Sequence, residues 1–227
     1  MRTAIVLLAL LAGCKDKTKA EAPKVGSASA VATPAPLRLN ELHLPKLAGM
    51  PPAKSKPLDA AKAEQLAKLD FDGWTRSVRL ADARGLELRY AMTTFAVTVQ
   101  AANCFDCLPM ELDKWSAKSG ALRSLVGRPL QDHKDTTWEL GMTTIGGTPY
   151  AWTHHVGYAA GPDPNGVPIA YGTAYTLYFN DGINMIRVVA EYNADAPTSR
   201  EAMVRLAPKA DLEQIAKAFA DQFVHAW

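Results

Sequence analysis

Two cysteines and a methionine are the residues of this chain whose types and spacing are best suited to chemistry. Cys104 and Cys107 are separated by two residues, and Met110 follows at the same interval. Such residues can form a structural disulfide or a redox couple, or can bind Cu(I), which prefers soft sulfur ligands. The nearby charges of Asp106 and Glu111 are negative, whereas a reactive thiolate needs positive neighbours. We therefore expect a structural disulfide, with the redox couple and the copper site as alternatives.

No other constellation predicts catalysis or a cofactor. His154 and His155 are adjacent on a predicted strand, so their side chains lie on opposite faces and cannot bind one zinc ion. We expect both to be residues of the sheet surface. The chain has no Gly-x-Ser-x-Gly, His-Glu-x-x-His, phosphate-loop or Gly-x-Gly-x-x-Gly motif. These observations favour a non-enzymatic protein with no cofactor and no favoured metal site.

The third cysteine lies at the end of an export signal. Arg2 supplies a positive charge, residues 4–12 are apolar but too few to cross a bilayer, and Leu-Ala-Gly precedes Cys14. This ending is similar to the lipobox of bacterial lipoproteins. The resemblance implies cleavage before Cys14 and a diacylglyceryl group on its thiol, and Lys15 favours the outer membrane. We expect a lipid-anchored protein of the bacterial cell envelope, where an oxidising environment favours pairing of the two remaining cysteines.

Composition divides the rest of the chain into a tether and a domain. Residues 14–57 contain seven of the fifteen prolines and no aromatic residue, which predicts a disordered tether after the signal peptide, residues 1–13. The tether is basic and is attracted to anionic head groups, whereas residues 58–227 carry sixteen Lys/Arg against twenty Asp/Glu. Their charge disfavours nucleic-acid binding. Four leucines of the tether either dock on the domain or bind a partner: Leu39, Leu42, Leu44 and Leu47.

Hydrophobic periodicity predicts a single α+β domain over residues 58–227. Alternation of apolar and polar residues indicates strands at 75–80, 86–90, 95–99, 138–145, 150–158, 175–179 and 183–192. Helical spacing indicates helices at 59–69 and 109–127, and a C-terminal amphipathic helix with Asp211 as its cap. Thr198 and Glu201 form a predicted capping box for a further short helix. Because the elements do not alternate regularly, we expect an antiparallel sheet with packed helices, closed by the C-terminal helix.

The plan of this domain resembles a known group of folds. Residues 139–150, the hairpin around residues 180–182 and the closing amphipathic helix are similar to PsbP-like and DcrB-like domains, several of which are lipoproteins. The resemblance covers roughly residues 70–225 and implies an α+β accessory protein of an envelope or photosystem. It transfers no ligand-binding residue to this chain.

Half of the eighteen aromatic residues lie in the second part of the predicted sheet. Because strand residues alternate between faces, some of these rings belong to the core and others line the outer face, where they can form a ligand groove. The candidate binding face consists of Trp152, His154, Tyr175 and Tyr178. We expect an envelope protein or a small ligand as the partner.

Overall fold

The computed structural model describes residues 42–46, 56–103, 137–160, 170–180 and 182–227. All of them belong to one structural unit, Ala35–Trp227, and the other unit, Met1–Pro34, lies outside these ranges. The helices of the described residues are α1 (Ala60–Leu66), α2 (Arg200–Leu206) and α3 (Lys209–Ala226). The strands are β1 (Thr75–Asp82), β2 (Gly85–Ala91), β3 (Phe95–Asn103), β4 (Thr137–Ile145), β5 (Thr148–Ala160), β6 (Ala170–Asn180) and β7 (Asn184–Tyr192).

The seven strands form one antiparallel sheet in the order β1-β2-β3-β7-β6-β5-β4. Two meanders, β1 to β3 and β4 to β7, meet where β3 pairs with β7, from Phe95 opposite Tyr192 to Asn103 opposite Asn184. Among the described strands, β1 and β4 are therefore the two at the edges. The predicted α+β class, with an antiparallel sheet and a closing C-terminal helix, is confirmed. The predicted hairpin around residues 180–182 is also present, joining β6 to β7.

The two faces of the sheet follow from the register of the strands. One row of opposed residues crosses the sheet from β2 to β5, and it consists of Leu88, Val99, Val188, Leu177 and Trp152. Because directly opposed residues of antiparallel strands point to the same side, they define one face, here named the covered face. The predicted apolar stripe of α3 is buried in the same hydrophobic core: Leu212, Ile215, Ala216, Phe219 and Phe223.

Residues at the alternate positions form the second face of the sheet. Thr98, Val189, Thr176, Thr153 and Leu140 lie opposite one another in a row of this face. The row is more polar than its counterpart on the covered face, as expected for a half-buried antiparallel sheet. Thr153 and Thr176 are nevertheless buried.

Helix ends and caps differ from the predicted ones by one to three residues. Asp59 caps α1 as a side-chain acceptor from the Lys62 amide, at 2.7 Å, and the helix ends at Leu66 rather than at residue 69. At α2 the capping residue is Ser199, whose hydroxyl accepts from the Ala202 amide, so the prediction of Thr198 is wrong.

The predicted cap of the C-terminal helix is also wrong. α3 begins at Lys209 after Pro208, which places Asp211 within the first turn. A carboxylate in the first turn still complements the positive end of the helix dipole, which explains why the pattern resembled a cap.

Residues 42–46 contact the domain. Leu42 is 7% exposed and belongs to the hydrophobic core. The indole Nε1 of Trp74 donates to the His43 carbonyl at 3.2 Å, and the Gln222 side chain donates to the Lys46 carbonyl at 2.7 Å. The leucines of the tether were expected either to dock on the domain or to bind a partner. Leu42 docks on the domain.

Candidate functional site

A group of polar and aromatic side chains occupies the covered face near the β4 edge. Trp152 and His154 are two residues apart on β5 and therefore point to the same side. His154 lies opposite Tyr175 of β6 and, on its other side, opposite Glu139 of β4. Lys209, the first residue of α3, completes the group. We name these five residues the Trp152 cluster.

The indole of Trp152 is held in place from three directions. Its ring stacks on Tyr175, with centroids 5.6 Å apart and planes 15° apart. The Lys209 ammonium lies 4.0 Å from the indole centroid, a distance suited to a cation–π contact. Gly141, opposite Trp152 on β4, leaves room for the ring, because a Cβ at position 141 would lie 2.8 Å from indole Cζ2. The glycine and the tryptophan therefore fit each other across the strand pair.

An ion pair forms the outer rim of the cluster. The Lys209 ammonium lies 2.5 Å from a Glu139 carboxylate oxygen, and both side chains are partly exposed. The hydrogen bond from Lys209 lowers the pKa of Glu139, against a smaller opposing effect of desolvation. Exposed ion pairs contribute about 0–1 kcal/mol, so this pair matters more for its placement than for its stability.

His154 is held as a neutral ring. It is 7% exposed, and burial lowers its pKa to about 4, although the charge of Glu139 acts in the opposite direction. Its Nε2 lies 3.1 Å from the Thr173 hydroxyl oxygen, and that hydroxyl donates its only proton to the His155 carbonyl at 2.9 Å. Thr173 can then only accept from His154, so Nε2 carries the ring proton and Nδ1 is a hydrogen-bond acceptor.

The hydroxyl group of Tyr175 has no hydrogen-bond partner among the described residues. The side chain that carries it is fully buried. Burial raises the pKa of this phenol, and the negative charge of Glu213 raises it further. An unsatisfied buried hydroxyl costs about 1–3 kcal/mol, and such groups need an explanation in a folded protein.

Glu213 also lines a cavity. This cavity, about 510 Å³ in volume, lies between residues 44–46 and α3. Leu44, Pro45 and Ala218 supply apolar walls, and Lys217, which pairs with Glu213 at 2.5 Å, adds charge at the same wall. The volume falls within the range of small-molecule sites, about 300–1,000 Å³.

The Trp152 cluster is suited to recognition. It offers an aromatic face, a neutral histidine acceptor, a buried phenol and a charged rim within one small area. Binding sites of this kind combine aromatic surface with a few placed polar groups. Among the described ranges, no group of three His, Cys, Asp or Glu side chains is arranged to hold a metal ion.

Three of the four residues predicted for the binding face meet in the cluster: Trp152, His154 and Tyr175. Tyr178 lies on the second face, opposite Ala151, with the Arg187 guanidinium carbon 5.9 Å from its ring centroid. The single face proposed for the four residues is therefore not formed, because residues 175 and 178 differ by an odd number and strand side chains alternate.

The expectation that both histidines belong to the sheet surface is wrong for His154, which is buried. The two rings do lie on opposite faces: His155 stacks on Trp138 of the second face, with centroids 4.6 Å apart. Burial lowers the pKa of His155, against a smaller opposite effect of Glu191. The burial of His154 comes from the neighbouring strands and from α3. The local sequence does not record it.

Sequence reasoning did not identify Glu139 and Lys209. For Glu139 a signal existed, because counting outward from the turn at Gly146 and Gly147 pairs residue 139 with residue 154. For Lys209 there was none, since α3 meets β4 only through the tertiary fold.

Several predicted site residues lie outside the described ranges: Cys14, Cys104, Cys107 and Met110. The lipid anchor, the disulfide and the alternative copper site therefore stay predictions. The predicted helix at residues 109–127 lies outside these ranges as well.

Comparison with protein-family models, with curated proteins and with solved structures finds no match for this chain. The resemblance to PsbP-like and DcrB-like domains stays a prediction. Among the described residues, no helix has both the length and the apolar character needed to span a membrane.

Proposed function

We propose that this protein is a bacterial cell-envelope lipoprotein, anchored by Cys14 in the outer membrane, whose α+β domain binds an envelope protein or a small ligand without catalysis. The observation that carries the proposal is the position of Cys14, directly after a short apolar run that ends in Leu-Ala-Gly. A charged start, an apolar centre and small residues before the cysteine are the features that an export and lipidation signal requires.

The physical strength of such an anchor supports a permanent membrane location. Each buried methylene group contributes about 0.8 kcal/mol, so one acyl chain binds only reversibly, whereas two or more hold a protein stably. The diacylglyceryl group of a lipoprotein supplies at least two chains. The domain would then act beside the membrane surface, within reach of envelope partners.

The Trp152 cluster supports a binding role for the domain. Within the part of the chain that the structure describes, the buried Tyr175 phenol has no hydrogen-bond partner and the neutral His154 ring keeps an acceptor nitrogen. A ligand can satisfy both groups. Trp152 and Lys209 add an aromatic face and a cation at the rim. We propose this cluster as the binding surface, in place of the four-residue face expected from the sequence.

The anchor is tested by replacing Cys14 with Ser in the full chain. We expect the variant to lose its acyl mass and to leave the membrane fraction. A matched control is Lys15→Ser, which changes the adjacent residue but keeps the sulfur and is expected to remain membrane-bound. Membrane retention of Cys14→Ser at the level of Lys15→Ser would contradict the anchor.

The binding surface is tested by photocrosslinking in the native cells. A photoreactive amino acid replaces Trp152 in one variant and Val189, on the second face and away from both edge strands, in the control. We expect an adduct of discrete mass from position 152 and none from position 189, read by intact-mass spectrometry. Equal adducts from both positions, or none from position 152, would reject the cluster as the binding surface.

A further inference from the structure

The two edge strands of the sheet are protected to different degrees. β1 contains a register shift between Val78 and Leu80. Its Arg79 pairs with Glu87, and Arg84 pairs with Asp82 at the turn that follows. Bulges and charged residues on an edge strand prevent another strand from pairing with it. β1 is therefore built to stay an edge.

β4 has none of these protections within its described length. It pairs with β5 over nine consecutive residues, from Thr137 to Ile145, without a register shift. Its one charged residue, Glu139, is bound by Lys209 on the covered face. Three of its residues at alternate positions, Trp138, Leu140 and Met142, are apolar. A regular, weakly charged edge strand of this length is a template for further strand pairing.

The turn at the end of β4 determines which residues of this strand form hydrogen bonds with β5. Gly146 and Gly147 have φ values of 56° and 80°, as a two-residue type I′ turn requires, so the flanking Ile145 and Thr148 form a hydrogen-bonded pair. The next pair, Thr144 and Pro149, is then a non-hydrogen-bonded pair, which agrees with the missing N–H of proline.

Hydrogen-bonded and non-hydrogen-bonded pairs alternate along an antiparallel ladder. The even-numbered residues of β4 consequently direct their N–H and C=O groups away from β5, towards the outer edge. Leu140 and Met142 therefore each present one donor and one acceptor to an incoming strand.

We infer that the β4 edge is a docking surface for a second copy of this chain, which pairs antiparallel with it about a two-fold axis at Gly141. This register places Leu140 of each copy opposite Met142 of the other, so the apolar residues face each other. It places Glu139 opposite Thr143, which separates the two carboxylates. In this register the strand is self-complementary in polarity and avoids contact between like charges, as a two-fold interface requires.

Pairing would place the binding surfaces of two copies close together. The two β5 strands would be separated by three strand spacings, about 14 Å, with both Trp152 clusters on the same face of a continuous sheet. This consequence rests on the proposed binding function. Anchoring of both copies in one membrane would favour pairing by raising their effective concentration.

The test uses the full chain with Cys14→Ser, so that association is measured without any membrane. We expect sedimentation equilibrium to show a monomer–dimer equilibrium. Hydrogen exchange of the Leu140 and Met142 amides should slow as the protein concentration rises. Leu140→Lys should weaken dimerisation about tenfold or more, because two charges enter one strand pair. Val78→Lys, on the β1 edge, is the matched control and should leave the equilibrium unchanged.

Met142→Pro is a second variant, which removes an outward N–H without removing a bond to β5, and it should also abolish dimerisation. A monomer at every concentration, or equal effects of Leu140→Lys and Val78→Lys, overturns the inference. Neither result bears on the anchor or on photocrosslinking at position 152, so failure of this inference is separable from failure of the proposed function.

Discussion

Two groups of aromatic side chains in this domain differ in how completely their polar atoms are satisfied. The first, named the Phe219 group, consists of Phe71, Trp74, Tyr90, Phe219 and Phe223. Its rings meet at tilted or edge-to-face angles, with Phe219 4.8 Å from Phe71 and 5.0 Å from Trp74. The Tyr90 hydroxyl donates to the Leu69 carbonyl at 2.8 Å, and the Trp74 indole donates to the His43 carbonyl.

The Trp152 cluster also contains a tryptophan and a tyrosine, but some of its polar atoms are unmatched among the described residues. Its rings are stacked near the sheet edge, and the Tyr175 hydroxyl bonds to none of the residues that the structure describes. His154 is neutral with an available acceptor. A fully satisfied group stabilises the fold, whereas unsatisfied buried groups tend to mark sites whose partner is a ligand. The difference indicates a stabilising role for the Phe219 group and supports the recognition role that we propose for the Trp152 cluster.

The largest effect is expected from truncating the centre of the Phe219 group. Phe219→Ala removes the ring that contacts Phe71, Trp74 and Tyr90 in a fully buried site. Such substitutions lower the free energy of unfolding by about 3–5 kcal/mol. Urea denaturation measures this loss. A loss below that of Trp152→Ala would remove the distinction between the two groups.

A smaller effect concerns pH and the Trp152 cluster. The pKa of His154 is about 4 in the folded protein, below its unfolded value of about 6.5. Below pH 6.5 the unfolded state therefore binds a proton that the folded state does not, and stability falls as the pH decreases towards 4. Lowering the pH from 7 to 5 should cost the wild type about 2 kcal/mol more than it costs His154→Gln.

Urea denaturation of both proteins at the two pH values measures this difference. A control variant is His225→Gln, which alters a histidine at the end of α3, away from the cluster. Identical pH dependence in the wild type and in His154→Gln would contradict a neutral, buried ring at position 154.

The sharpest matched pair consists of two tyrosine-to-phenylalanine changes, each of which deletes one buried hydroxyl. Tyr90→Phe removes a hydrogen bond to the backbone and should lower stability by about 1 kcal/mol. Tyr175→Phe removes an unpartnered hydroxyl and should leave stability unchanged or raise it by about 1 kcal/mol. Thermal unfolding of the two variants gives the sign directly, and an equal loss in both would show that Tyr175 has a partner.

The smallest effect is expected at the rim. Lys209→Met removes the ion pair with Glu139 and the contact with Trp152, and should cost at most about 1 kcal/mol. The pKa of Glu139 should rise, because its hydrogen bond from Lys209 lowers it. The pKa of His154 should rise too, since the charge of Lys209 lowers it. NMR titration measures both pKa values. An unchanged pKa of Glu139 in Lys209→Met would argue against the ion pair in solution.

Much of the fold could be predicted from local patterns. The alternation in residues 86–90 and 95–99 predicted β2 and β3, and the apolar spacing from Leu212 to Phe223 predicted α3. These signals are periodic and repeat over several residues, so single exceptions do not erase them. Caps depend on one residue each, and two of the predicted caps were consequently displaced.

The candidate site was only partly predictable. The aromatic content of the second part of the sheet indicated Trp152, His154 and Tyr175, and alternation alone would have separated Tyr178 from Tyr175. Glu139 required the strand register, and Lys209 required the position of α3. The burial that lowers the pKa of His154 depends on several elements at once, so no local pattern records it.

The sequence by itself determined the class of the fold, the strand pattern and the apolar stripe of α3, because these depend on the chemical periodicity of neighbouring residues. Only the tertiary structure decided which polar groups meet. It placed Glu139, His154 and Lys209 beside Trp152 although they come from three separate elements. The physical reason is that packing and strand register bring together residues far apart in the chain, and burial then sets their charge states.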